Sequence, residues 1–248
     1  MKRLLLLAAM LISARLFAVE LNVGQGVSFI RETTYQDNNA KQIGKKNYIL
    51  LSNTRLGLES QFINAKSEVK LGDGYRSIYF DVNPKYDINK NLSFLANISY
   101  TYYNIDFSKY KFSITENDVI MNVGIELRES LFDFINFRIS AFVGYVPVYS
   151  NCFYNLCETK FNIDISISKY VDIYFNIESF QNSINICTFN PLFVKNSYGI
   201  KAHYDIGNLT IFASWDYYCL HPENAWWYND TKYNRYEDYA TIGLTYKF

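Results

Sequence analysis

The residues of this 248-residue chain best equipped for chemistry are two histidines, four cysteines and a spaced series of charges. His203 is followed two positions later by Asp205, so a strand would place the imidazole and the carboxylate on one face, where acid–base chemistry begins. No Ser/His/Asp arrangement, metal-ligand spacing or phosphate-binding glycine loop accompanies them. His203 therefore reads as a hydrogen-bonding residue; no catalytic residue, metal or cofactor is expected. The larger set is ionic: Arg55, Lys85, Arg128, Arg138, Lys160, Lys201 and Lys247, with Glu59, Asp81, Asp87, Glu126, Asp164, Asp172, Glu178, Asp205 and Asp216. Charges of both signs in this number do not sit in a dry core without extensive pairing.

Those charges alternate with apolar residues at a period of two, which is the strand signal. Leu92, Phe94, Ala96, Ile98 and Tyr100 share one face, as do Val119, Met121, Val123, Ile125 and Leu127. The pattern recurs at Ile135–Val143, Phe161–Ile167, Val171–Ile177, Tyr198–Tyr204 and Leu209–Trp215. Tyr86–Phe94 is echoed by Tyr204–Ile211, each holding a tight Asn/Gly/Lys turn between alternating arms, the mark of a hairpin. Upstream, Leu21–Phe29 and Tyr48–Phe62 are two further strands. In Asn64–Gly74, Lys66, Glu68 and Lys70 alternate with Ser67, Val69 and Leu71; as a strand this stretch gives twelve in all, as a loop ten. We expect twelve.

The last strand, Tyr239–Phe248, sets Ala240, Ile242, Leu244, Tyr246 and Phe248 against Tyr239, Thr241, Gly243, Thr245 and Lys247. This apolar, aromatic-ended strand resembles the carboxy-terminal signature of bacterial outer-membrane β-barrels. The resemblance implies an all-β, antiparallel transmembrane barrel, porin-like, with short periplasmic turns and longer extracellular loops. It also implies that Tyr246 and Phe248 act as the signal read by the barrel-assembly machinery, and that outer-membrane lipid surrounds the wall.

Composition agrees. Residues 1–18 read as a signal peptide, with Lys2 and Arg3 before the apolar run Leu4–Ile12, too short for a spanning helix, and residues 19–248 form one barrel domain. Without residues 1–18 the chain carries 21 basic against 24 acidic side chains, about −3, which gives no footprint for nucleic acid. The 23 Tyr and 19 Phe are spread in alternation, as lipid-facing strands with aromatic girdles use them. Longer polar segments, Gln36–Asn47, Asn104–Asn117, Pro147–Glu158, Gln181–Asn196 and Cys219–Asp238, fall at one end of the strands. Cys152, Cys157, Cys187 and Cys219 lie in or beside them, where an oxidising compartment would let them pair; four cysteines allow three connectivities. Cys152 with Cys157, and Cys187 with Cys219, are the simple choices.

If the apolar face meets lipid, the opposite face lines a lumen. The pore-lining candidates are then Arg55, Glu59, Asp81, Lys85, Glu126, Arg128, Arg138, Lys160, Asp164, Asp172, Glu178, Lys201, His203 and Asp216. The expected function is an outer-membrane porin or channel for passive diffusion of small hydrophilic solutes, weakly cation-preferring. The alternative is a non-conducting barrel that displays its loops, with His221, Trp226, Trp227, Tyr228 and Arg235 as ligand-binding candidates; those aromatics could equally brace the rim. An outer-membrane enzyme fits least, because phospholipases and deacylases of this class use a His-x-Ser pair where this chain has His203 and Asp205, and His221 with Glu223 is the only counterpart to an omptin-like site.

Overall fold

The computed structural model describes residues 20–36, 41–60, 62–107, 112–132, 134–149, 153–181, 193–222 and 233–248. Twelve antiparallel strands form a ring: β1 (Glu20–Gln36), β2 (Lys41–Glu59), β3 (Ile63–Gly72), β4 (Tyr75–Asp87), β5 (Leu92–Phe107), β6 (Phe112–Leu131), β7 (Ile135–Tyr149), β8 (Phe153–Ile167), β9 (Val171–Gln181), β10 (Phe193–Ile206), β11 (Leu209–Pro222) and β12 (Tyr233–Lys247). Each strand pairs with its sequence neighbours, and β12 closes on β1 with Val27 opposite Ile242. Closure leaves no edge, so every ladder is satisfied within the wall, as a lipid-embedded sheet requires. Beside the seam, the Phe248 amide donates to the Leu21 carbonyl at 2.9 Å.

The ambiguous stretch is a strand. Ile63–Gly72 pairs with β2 through Arg55 opposite Glu68 and with β4 through Lys66 opposite Asp81. Its alternation therefore outweighed its polarity.

Turns at the other end follow local chemistry. Asn89 accepts from the amides of Asn91 and Leu92 at 2.8 and 2.9 Å, closing the β4–β5 turn. Gly207, at φ +61° with open space around it, supplies the left-handed residue that the two-residue β10–β11 connection needs.

At the opposite end the strands run further than the polar composition indicated. The β5–β6 ladder continues to Phe107 opposite Phe112, and β7–β8 to Tyr149 opposite Phe153. Above an apolar belt both strand faces carry polar side chains, so alternation fades while backbone pairing continues. Segments expected as loops are thus largely strand extensions; the wider separations fall between β9 and β10 and between β11 and β12.

The outer face is apolar. Val123, Phe94, Ile98, Leu127, Ile242 and Leu244 are among its exposed side chains, and a continuous apolar belt of this kind is stable only against lipid. Outward aromatics gather toward both ends: Tyr170 stacks on Tyr204 near the short turns, and Tyr198, Trp215 and Tyr217 form a group near the long-loop end. Gln25, which also points outward, is matched to Ser52 and Thr54 by hydrogen bonds of 3.2 and 2.8 Å.

Candidate functional site

Strand parity puts every pore-lining candidate named above on the inner face, and cross-strand pairing sorts them into groups. On β4 to β8, Glu126 draws Lys85 at 3.2 Å, Arg128 at 3.0 Å and Arg138 at 4.0 Å. Arg128 also bonds Asp87 and Ser93, and Arg138 lies 3.6 Å from Asp164. On β8 to β10, Glu178 takes Lys160 at 2.9 Å and Lys195 at 3.3 Å. Arg55 on β2 pairs with Glu68 at 2.6 Å, and its guanidinium lies 4.9 Å from the centre of the Phe212 ring. Lys201 approaches the same ring at 5.3 Å.

The sequence reading missed several inward charges. Lys66, Glu68 and Lys70 lie on β3, where Lys66 meets Asp81 at 3.2 Å and Lys70 meets Glu68 at 3.2 Å. Their i, i+2, i+4 spacing was the available signal. Glu158, Lys195 and Glu237 sit where strands extend beyond the apolar belt; Glu158 is buried and accepts from Asn122 at 2.7 Å. No pattern in those polar segments separates an inward strand residue from a loop residue.

Exposure inside the barrel changes along its axis. Near the short turns several charged inner side chains are wet: Arg138 is 51% exposed, Asp172 41% and Asp164 37%. Toward the long-loop end they are covered, with Leu51, Ile105, Val146, Phe180 and Leu156 at 1% or less. The lumen is thus a charged vestibule at one end and a filled section at the other. Covered apolar residues on the inner face were not anticipated, because alternation alone assigned the inner face to polar groups.

His203 Nδ1 lies 3.5 Å from Asp172 Oδ2, and the Ser166 hydroxyl donates to the other oxygen of the same carboxylate at 2.8 Å. Serine and imidazole therefore both address Asp172, whereas nucleophile activation needs the hydroxyl on the imidazole. Asp205, two residues further along β10, accepts from Thr210 at 2.6 Å. Among the described residues no group of three or more His, Cys, Asp or Glu could hold a metal ion.

Trp226, Trp227, Tyr228, Cys152 and Cys187, with the signal-peptide segment, lie outside the described residues, as do the side chains of His221 and Arg235. Cys157 is on β8 and Cys219 on β11.

No family model matches this sequence, and no curated protein matches it. Among solved structures, the chain is similar to the KdgM porin at 13% identity, TM-score 0.43, over 89% of this chain and 99% of that one. It is similar to the translocator domain of the autotransporter NalP from Neisseria meningitidis at 13% identity, TM-score 0.49, over 92% and 88%. It is also similar to the outer-membrane protease OmpT from Escherichia coli at 10% identity, TM-score 0.43, over 94% and 98%. These likenesses are of barrel architecture. With its closed ring, apolar outer wall and charged inner wall, this chain has the form of a membrane-spanning β-barrel.

Proposed function

We propose that this barrel is a channel of the bacterial outer membrane for passive diffusion of small hydrophilic solutes. The observation that carries the reading is the inner face: an ion-paired polar lining on a wall whose outside is apolar, with a wet vestibule reaching the short-turn end. A barrel of about twelve strands lies between those filled by their own side chains and the wide pores of 16 to 18 strands, so solutes of a few carbons and hydrated ions are its cargo. Three part-exposed carboxylates, Asp87, Asp164 and Asp172, share the vestibule with the half-exposed Arg138; Asp87 is bonded to Arg128 and Asp164 lies 3.6 Å from Arg138, which leaves the acids in slight excess. The resulting ion preference is weak and cationic. Its partners are outer-membrane lipid around the wall and the barrel-assembly machinery, which reads Tyr246 and Phe248. The chemistry is transport rather than catalysis, given the placement of His203.

Planar-bilayer conductance at two salt concentrations and across a salt gradient tests this. Discrete steps that scale with salt, with a reversal potential displaced slightly toward cations, are expected; stable insertion without steps would overturn it.

The filled long-loop section favours a second reading, a non-conducting barrel that displays Cys219–Asp238. Deleting residues 225–233 and measuring glycan or host-surface binding tests it, since unchanged binding removes that segment as the ligand site.

A further inference from the structure

Four inward tyrosines lie in a line across the lumen. Tyr103 on β5 meets Tyr75 on β4 edge-to-face, with ring centres 5.4 Å apart. The Tyr75 and Tyr239 hydroxyls are 3.0 Å apart, and the Tyr239 ring meets Tyr218 on β11 edge-to-face at 5.5 Å. Tyr239 donates its proton to Glu237 Oε2; a phenol has one proton, so Tyr75 is the donor to Tyr239. In the ring order, β5 and β11 stand on opposite sides of the twelve-strand barrel. The crossing contact itself joins β4 to β12, four places apart in the ring, so the line cuts the lumen as a chord on the side of β1 to β3.

Two features hold it in place. Lys70 Nζ sits 4.5 Å from the centre of the Tyr239 ring and is anchored by Glu68, which also holds Arg55. Leu51 and Ile105 fill the space around Tyr75, all at 1% exposure or less. A side chain lining an open, water-filled passage keeps one surface wet. Tyr75 and Tyr239, at 1% and 5%, do not.

We propose that the Tyr75–Tyr239 contact, braced by Tyr103, Tyr218 and Lys70, is the constriction of the barrel and determines the size of solute that passes. It lies with Leu51 and Ile105 in the filled section on the long-loop side of the vestibule. In its conductance arm the proposal rests on the channel reading above; its labelling arm does not.

Tyr239→Ala and Tyr75→Ala barrels, checked for folding by heat-dependent electrophoretic mobility, are compared with the unaltered chain in planar bilayers. Tyr198→Ala, on the outer wall, is the control. Removing either ring is expected to enlarge the conductance step several-fold and to admit larger polyethylene glycols; steps equal to those of the unaltered chain would overturn the constriction while leaving the channel reading intact. Should the alanine variants fail to fold, Tyr75→Phe with Tyr239→Phe breaks the hydroxyl contact with both rings kept. That pair is expected to raise open-state noise and step size, and an unchanged trace would count against the contact.

The second arm uses a chain with its four cysteines changed to serine and Asp172→Cys in the vestibule, in oriented liposomes. A polymer-linked maleimide added from the long-loop side is expected to label this thiol only when Tyr75 or Tyr239 is alanine. Labelling with both tyrosines present would overturn the proposal. Labelling gated by the tyrosines with no conductance in any form would uphold the constriction and remove the channel reading.

Discussion

Phe212 on β11 lies against Gly243, its directly paired neighbour on β12, and a Cβ built on Gly243 would come within 2.6 Å of the ring. The same arrangement joins Phe142 to Gly124 and Tyr174 to Gly199. An inward ring laid over a glycine fills the gap left by the missing side chain and leaves the lumen above it free. At Phe212 that surface then receives Arg55 and Lys201.

Gly243→Ala should accordingly destabilise the barrel by about 1–3 kcal/mol, the usual range for overpacking. Urea unfolding in detergent micelles or lipid vesicles reads the loss. Pairing it with Phe212→Leu should recover part of that loss, because the smaller side chain can yield where the ring cannot. Equal losses in the single and double variants would show that the ring is not the obstacle.

Glu126 is the common partner of Lys85, Arg128 and Arg138. Glu126→Gln leaves those cations without their shared anion. The carboxylate is buried but the cations are partly wet, and Arg138 is half exposed, so solvent limits the loss to about 1–3 kcal/mol. The unfolding midpoint should fall, and the reversal potential in a salt gradient should move toward anions. A stability change without the electrical one would place this cluster outside the conduction path.

The direction of each strand face was legible in the sequence, and the filling of the lumen was not. Alternation suffices for Ile98 and Ser99, or Ile242 and Thr241, because one face meets lipid and the other meets polar groups. It says nothing of Tyr75 and Tyr239, which lie far apart in the chain and meet only because closure sets β4 and β12 four places apart around one ring. The ion pairs were legible as a set but not as partners. Arg138 opposite Asp164 depends on the β7–β8 register, which composition does not give. Lys195 and Glu158 were lost for a different reason: beyond the lipid belt the outer positions lose their unbroken apolar pattern, as at Thr159 and Asn196.

The wall itself can be tested at Val123, 61% exposed on the outer face of β6. Val123→Arg should destabilise the protein by about 2–4 kcal/mol if the site lies near the bilayer midplane, and by about 1 or less near an interface. The same residue introduced as Glu59→Arg, an exposed inner-face position opposite Asn64 on β3, should be tolerated within about 1 kcal/mol. Folded yield and urea midpoints in vesicles measure both. Equal penalties would contradict the assignment of outer and inner faces.

Asp164 and Asp172 decide the sign of the proposed ion preference. They lie near the short turns on neighbouring strands β8 and β9, more than one-third exposed, facing Arg138 and His203 across 3.6 and 3.5 Å. A mobile cation entering the vestibule meets these two carboxylates before the buried pairs, and surface charges of this kind act within about 10 Å at 0.1 M salt. Asp164→Asn with Asp172→Asn should therefore carry the reversal potential from weakly cationic through neutral toward anionic, with Arg138 released as the dominant charge. The shift should be largest in dilute salt and shrink toward 1 M, where the screening length is about 3 Å. A reversal potential that ignores both substitutions at low salt would mean that ions do not pass this wall.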